Sequence, residues 1–364
     1  MIKNISKLIL LAFVFLSLFS KPVFAQEEYQ IETKNFKGKI KESIVEDCNE
    51  DLGYICVKYK VEILDGEYKG KEVESIVSAV NSKDDIFREG STVYLSLTSS
   101  EDFDDQWNVE SYSREGMLLM VFAVFVLLIF FVTGFKGFKS IVGLILSFVV
   151  IYLFTIPNIN NGASILLISI TSIFLLLIAT TFVTYGFNKK SLIAFISSVF
   201  GVLIIFLVGL FVVNWLDIAG NGEESAAMLY DTLSKSFSLP SVYLLGIVIA
   251  ALGVLDDVTV GQTSTMMEIY DANKSLSSKE LYSRTMNVGK DHIASMINTL
   301  FIAYAGSSFT LIMLLSANNP TFGILINTEF IIEEIIRTLV ASIGLILVAP
   351  LTTYIASVLV VKQR

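Results

Sequence analysis

Between Met117 and Val361 the chain is built from long apolar runs separated by short polar links. The runs are Met117–Phe135, Ile141–Ile156, Ala163–Tyr185, Ser191–Val213, Leu239 to about Gln262, Ile293–Ser316 and Thr338–Val361. A helix of roughly 20 apolar residues crosses about 30 Å of hydrocarbon. Within hydrocarbon, only helices and closed barrels bond every backbone group internally. Runs of this length therefore predict helices. The whole chain of 364 residues is 54% hydrophobic and 17% charged, a balance foreign to water-soluble domains. The expected fold class is an α-helical multi-pass membrane protein of about seven spans, occupying residues 115–364.

Two different segments precede the runs. Residues 1–25 carry Lys3 and Lys7, an apolar stretch from Leu8 to Phe19, and Val23-Phe24-Ala25 ahead of Gln26. That order reads as a signal peptide, with an uncleaved anchor as the alternative. Either one places the following residues outside the cytoplasm. Residues 26–114 alternate apolar and polar positions, predicting strands near Phe36–Val45, Tyr54–Leu64, Glu72–Val80, Thr92–Leu97 and Trp107–Tyr112. Five short strands in under 100 residues suit a β-rich small barrel of the OB or SH3-like kind. This domain is expected either to cap the membrane part or to bind another envelope protein.

The same domain holds both cysteines, Cys48 and Cys56. Outside the cytoplasm they are a candidate short-loop disulfide, the alternative being two free thiols on neighbouring strands. Two cysteines and one histidine are too few for a structural zinc site. No cofactor is expected. From Gln26 to Arg114 there are 21 acidic and 11 basic residues. A surface this acidic excludes nucleic acid as a partner, because phosphate binding needs basic groups.

Orientation follows from the basic residues of the short links. Lys136, Lys139, Lys189, Lys190, Lys274, Lys279, Arg284, Lys290, Lys362 and Arg364 fall on one side, and Lys235 alone among the opposite short links. Basic links stay in the cytoplasm. The N-terminal domain is then extracytoplasmic and the C-terminus cytoplasmic. The signal-like N-terminus gives the same answer independently.

The run from Leu239 carries the chemistry. Asp256 and Asp257 interrupt it about 16 residues in, roughly 24 Å along a helix. Thr259, Gln262, Thr263, Ser264 and Glu268 follow. Ionisable groups at membrane depth are costly and usually line a wet interior. Paired aspartates suit either cation coordination or a proton site. Three placements fit the spacing: a vestibule-lining helix face, a re-entrant segment that turns back near Leu255, or a helix end in wet interface. The next run opens with Asp291 and His292, a candidate proton relay, and carries Asn298 near the depth of Asp257. For His292 an interfacial histidine bonded to a neighbour is the plainer reading. Ahead of the last run, Glu333 and Arg337 are spaced to pair on one helix face as a gate or brace. Pro350, with Thr352 and Thr353 after it, predicts a kink. Hydrolytic motifs are absent: there is no HExxH, no GxSxG and no P-loop. The chain is not expected to be an enzyme.

Three blocks of residues carry a resemblance. They are Gly253-Val254-Leu255-Asp256-Asp257-Val258-Thr259, then Val288-Gly289-Lys290-Asp291-His292-Ile293 with Asn298-Thr299-Leu300 and Ala303-Tyr304-Ala305-Gly306, then Ile336-Arg337-Thr338-Leu339 through Gly344 to Ala349-Pro350-Leu351-Thr352. In this order they resemble the YibE/F-like family of bacterial multi-pass membrane proteins. Asp65-Gly66 through Lys69-Gly70-Lys71 is similar to that family's soluble domain. The resemblance implies a bacterial cytoplasmic membrane protein and puts the family aspartate at Asp257. It brings no settled biochemical activity with it.

The function expected from the residues is transport of a small solute, cation or proton across the bilayer. Asp257 would be the central site, with Asp256, Thr259, Gln262 and Asn298 around it. The alternative is a non-transporting scaffold or partner protein of the cell envelope.

Overall fold

A computed structural model describes residues 32–49, 54–80, 86–100, 103–222, 225–226, 228–229, 238–317 and 321–361. Residues 1–25, expected to be a signal peptide, and the side chain of Cys48 lie outside the described residues. The chain divides into two compact units, with the boundary between Leu128 and Ile129.

The first unit is a five-stranded antiparallel sheet: β1 (Glu32–Asn49), β2 (Tyr54–Ile63), β3 (Glu72–Val80), β4 (Thr92–Ser100) and β5 (Phe103–Tyr112), in the order β3-β2-β1-β4-β5. All five expected strands are present. β1 is longer at both ends than its apolar alternation suggests, because it pairs with β4 over Glu32–Lys39 and with β2 over Gly38–Asn49. Side chains alternate across a strand. One face of β1, β2 and β4 thus delivers Ile40, Val57, Tyr59, Val61, Val93 and Leu95 to a fully buried core. Gly38 sits where these strands meet. A Cβ there would lie 2.5 Å from Val61 and 2.6 Å from Leu95. At the sheet's two edges, Val109 N–H donates to the buried Ser75 Oγ at 3.1 Å, tying β5 to β3. Cys56 is disulfide-bonded.

The sheet also holds the start of the first helix, α1 (Glu115–Thr133). Glu115 accepts hydrogen bonds from Tyr94 Oη at 2.8 Å and Ser113 Oγ at 2.9 Å, and pairs with Lys37. The Glu115 carboxylate raises the Lys37 ammonium above its ordinary pKa. A carboxylate at a helix N-terminus also suits the helix dipole.

The remaining helices are α2 (Phe135–Asn160), α3 (Ile165–Val183), α4 (Lys189–Trp215), α5 (Leu239–Ala272), α6 (Ser278–Ser307), α7 (Phe309–Ala317), α8 (Phe322–Ile326) and α9 (Glu329–Val361). Among the described residues, six helices (α1 to α5 and α9) are long and apolar enough to cross a membrane, or seven if α6 and α7, bent by 61°, form one span. The sixth run is therefore broken, at Ser308, where seven unbroken runs were expected. Two further differences concern boundaries. α5 is one helix of 34 residues, so the chain does not turn back near Leu255. At 1.5 Å per residue it is about 51 Å long, more than hydrocarbon thickness alone requires. Ser277 and Glu280 form a reciprocal capping box, which starts the 30-residue α6 rather than a short surface helix. α9 continues as helix through Pro350.

Helices α4, α5 and α9 make the centre of the second unit. Glycine lets helix backbones approach closely. Gly201 of α4 faces Leu255 and Val348, Gly209 faces Leu244 and Val340, and Ile205 between them fills the space above Gly344 of α9. These pairs fix α4 antiparallel to both neighbours. α6 packs on α5 and α9 through Ile293, Ile297 and Leu300 against Val258, Leu345 and Ala349. α2 and α3 each contain a π-helical stretch, Ile151–Thr155 and Ile178–Val183.

Candidate functional site

Asp256 and Asp257 are neighbours on α5, and helical geometry turns them about 100° apart. Their fates differ accordingly. Asp257 is exposed, whereas Asp256 is only partly so and turns toward α3 and α4. Thr181 Oγ1 donates to Asp256 Oδ1 at 3.4 Å. The hydroxyls of Thr180 and Ser198 also lie within interaction range of that carboxyl. Thr181 and Ser198 are fully buried. Thr259, one turn further along α5, bonds Ser198 Oγ at 2.9 Å and donates to the Asp256 carbonyl at 3.3 Å. Two helices, α3 and α4, thus bring hydroxyl oxygens to one carboxylate on α5, and Thr259 of α5 backs Ser198.

The π-helical stretch of α3 explains how two consecutive threonines serve the same acid. Thr180 and Thr181 both fall within Ile178–Val183. A π turn widens the helix and locally re-aims side chains, and such turns recur at functional sites.

Gln262 and Gly289 extend the polar layer toward α6 and α9. Gln262 is buried, and its Oε1 accepts from Thr353 Oγ1 at 3.2 Å. Gly289 leaves just enough room for the Gln262 amide, since a Cβ at 289 would lie 2.2 Å from Nε2. Gly289→Val is therefore expected to evict Gln262 from its slot and break the Thr353 bond. The cost is about 1–3 kcal/mol, the price of overpacking, plus a stranded amide. Thermal unfolding of the purified variant in detergent measures it.

Other expected members of the site are placed elsewhere. Asn298 is exposed, on the side of α6 away from Ile293, Ile297 and Leu300, so the structure does not bring it to Asp256. Asp291 and His292 are exposed. His292 lies within electrostatic range of Asp257, which joins the candidate relay to the outer acid rather than the inner one. Asp257 is thus not the centre of the group; Asp256 is, because its face of α5 is the one that α3 and α4 cover.

Glu333 and Arg337 each have a partner other than one another. Arg337 Nη1 pairs with Glu334 Oε2 at 3.0 Å and stacks 5.7 Å over the Tyr243 ring. The buried Glu333 accepts the Gly222 N–H at 3.0 Å, and one turn earlier Glu329 accepts the Ala219 N–H at 2.7 Å. Tyr243 Oη donates to the Glu333 carbonyl. The first turns of α9 thereby hold the segment after α4 against the start of α5. Gly220 (φ 73°) and Gly222 are required there, because Cβ atoms would meet the Leu239 and Phe330 backbones at 2.7 Å.

A separate cavity of about 900 Å³ opens between α3 and α4. Phe174, Phe182, Phe195 and Phe206 contribute to its lining, which is almost wholly apolar. It has no charged group with which to hold an ion. Among the described residues, no group of three or more histidine, cysteine or acidic side chains is placed to bind a metal.

One sequence signal for the site went unread. Adjacent hydroxyl residues interrupt three apolar runs: Thr180-Thr181, Ser197-Ser198 and Thr352-Thr353. Five of these six are buried, and the sixth, Thr180, is partly so. They mark the level at which the helices turn polar toward one another.

No curated protein and no solved structure matches the chain. A family model does, that of the YibE/F-like protein, over residues 121–362. The match spans the apolar helices and all three motif blocks, and leaves the β-domain with its Asp65–Lys71 loop outside. The chain belongs to the YibE/F-like protein family.

Proposed function

We propose that this protein is a multi-pass transporter for a small solute or ion, with Asp256 as its central group. One observation carries the reading: a carboxylate within apolar helices, met by hydroxyls from α3 and α4. A charge at that depth is expensive unless it faces a site that uses it. The basic links support an orientation with the β-domain outside and the C-terminus inside. The Glu333 contacts then act at the outer end as a fixed brace. The Val109–Ser75 bond between edge strands supports a small OB-like barrel for the β-domain. No hydrolytic constellation accompanies the aspartates, so the protein is read as a non-enzyme.

The test is flux into proteoliposomes, screened with candidate cations, proton gradients and small solutes. Asp256→Asn is expected to cut the flux at least tenfold, about 1.4 kcal/mol or more of lost stabilisation. Asp257→Asn is expected to leave most of it. Equal flux in the wild type and Asp256→Asn would sink the proposal.

A second reading, a partner protein of the envelope, is favoured by one feature. Ser295, Asn298 and Thr299 are exposed on α6 amid apolar surface. Polar groups of this kind bond across helices. Under that reading Asn298→Leu changes assembly in native gels and leaves no flux to lose.

A further inference from the structure

Of the ligands that the Asp256 group could hold, the geometry points to a dehydrated sodium-sized monovalent cation: we propose that Asp256, Thr180, Thr181, Ser198 and Thr259 form a Na⁺ site. The inference rests on the reading of Asp256 as the central group but not on transport itself.

Charge comes first. A single carboxylate faces this group, and the other donors are neutral hydroxyls. One negative charge balances one positive charge. Divalent calcium sites usually recruit more carboxylates, and transition metals prefer imidazole or thiolate. Neither a histidine nor a cysteine contacts Asp256 among the described residues. Asp257 is exposed on the adjacent face of α5, within electrostatic range of both His292 and Asp256.

Size comes second. Oxygens arranged octahedrally at about 2.4 Å, the distance for ions of calcium's radius, which Na⁺ shares, are separated by roughly 3.4 Å along each edge. The Thr181–Asp256 spacing is 3.4 Å. That spacing is long for a hydroxyl-to-carboxylate hydrogen bond, which favours 2.5–3.0 Å. It suits two oxygens sharing a cation of this size, whereas Ser198 and Thr259, at 2.9 Å, are hydrogen-bonded to each other.

The backbone and the neighbouring layer add two independent observations. The π-helical stretch at Ile178–Val183 departs from the regular bonding ladder beside the acid. The fully buried Ser197 and Thr352 hydroxyls find no hydrogen-bond partner among the described residues. The Gly201–Val348 and Ile205–Gly344 contacts put these two residues at one level of the α4–α9 seam, next to Ser198. Buried polar atoms are seldom left unbonded, so this layer has places for water or ion that the chain does not fill.

The experiment is equilibrium thermal unfolding of the full-length protein in detergent. NaCl replaces choline chloride at constant ionic strength, and KCl serves as the comparison ion. Bound ligand stabilises the native state by mass action. The midpoint is expected to rise by a few degrees with the logarithm of Na⁺ concentration, and less with K⁺. Asp256→Asn abolishes the rise. Ser198→Ala and Thr181→Val move it to at least tenfold higher Na⁺. Midpoints in choline alone show whether a variant is folded before any ion is added. Superimposed Na⁺, K⁺ and choline curves overturn the proposal, as does a Na⁺ response that survives Asp256→Asn. A midpoint that follows pH but not Na⁺ also overturns it and assigns the group to protons. No gradient is involved, so a Na⁺ shift without flux contradicts transport alone, and Na⁺-independent flux contradicts the cation assignment alone.

Discussion

Gly344→Leu is expected to prevent α4 and α9 from seating, at a cost of about 3 kcal/mol or more, the upper end for overpacked cores. A Cβ at 344 would lie 2.1 Å from Ile205 Cγ1 and 2.7 Å from its Cδ1. Ile205 cannot retreat, because it is itself almost fully buried between Gly201 and Gly209. Close packing transmits such strain instead of absorbing it. The measurable result is loss of the folded, monodisperse protein on detergent extraction, or a midpoint many degrees below wild type. Gly344→Ala with Ile205→Ala should recover part of the loss, since the pair is in direct contact and its changes are not additive. A Gly344→Leu protein with unchanged midpoint contradicts the packing described.

Glu333→Ala carries the second large effect, about 2–4 kcal/mol from a stranded donor plus a cavity. Its Oε1 is the acceptor for Gly222 N–H, a bond that offsets part of the cost of burying the carboxyl. Removing the carboxyl takes this acceptor from the Gly222 amide, which lies beside the Phe330 backbone. Glu333→Gln retains an acceptor oxygen and should cost much less. Unfolding midpoints of the two variants separate these cases. A similar midpoint for both would show that the Gly222 bond contributes little. Were Glu333 a moving gate instead of a brace, Glu333→Ala would alter flux with little change in stability.

Much of the architecture was legible because the signals were periodic or compositional. Period-two alternation located all five strands, and apolar length located the helices. Ser277 and Glu280 signalled a helix start, which the structure places at Ser278. Length alone could not show that the sixth run breaks at Ser308. It also could not show that α5 continues past Gln262, because a polar helix end and a loop look alike in composition. On α5 the aspartate pair marked the turn that α3 and α4 meet with hydroxyls, but not which of the two acids faces them. Val254, Leu255, Val258 and Val260 surround the pair with apolar neighbours on every side, so no amphipathic stripe identifies the covered face. The π-helical stretch of α3 has no local sequence signature, and it brings Thr180 and Thr181 to an acid 75 positions away. Glu333 was read from i,i+4 spacing as Arg337's partner. Tertiary structure also gave it a backbone donor from a distant segment, which spacing alone could not show.

Thiol accessibility tests the central claim most directly, because it asks whether solvent-borne cations reach the Asp256 group at all. In a variant lacking Cys48 and Cys56, single cysteines replace Thr181, Ser198 and Thr259, with Asp257 and His292 as exposed controls. A small cationic thiol reagent is applied to protein in sealed vesicles of each orientation. The account predicts labelling at 181, 198 and 259 from one side, slowed by Na⁺ and unaffected by choline. Labelling confined to 257 and 292, with the three inner positions silent, would mean that the hydroxyls only pack helices together and that Asp256 holds no ion.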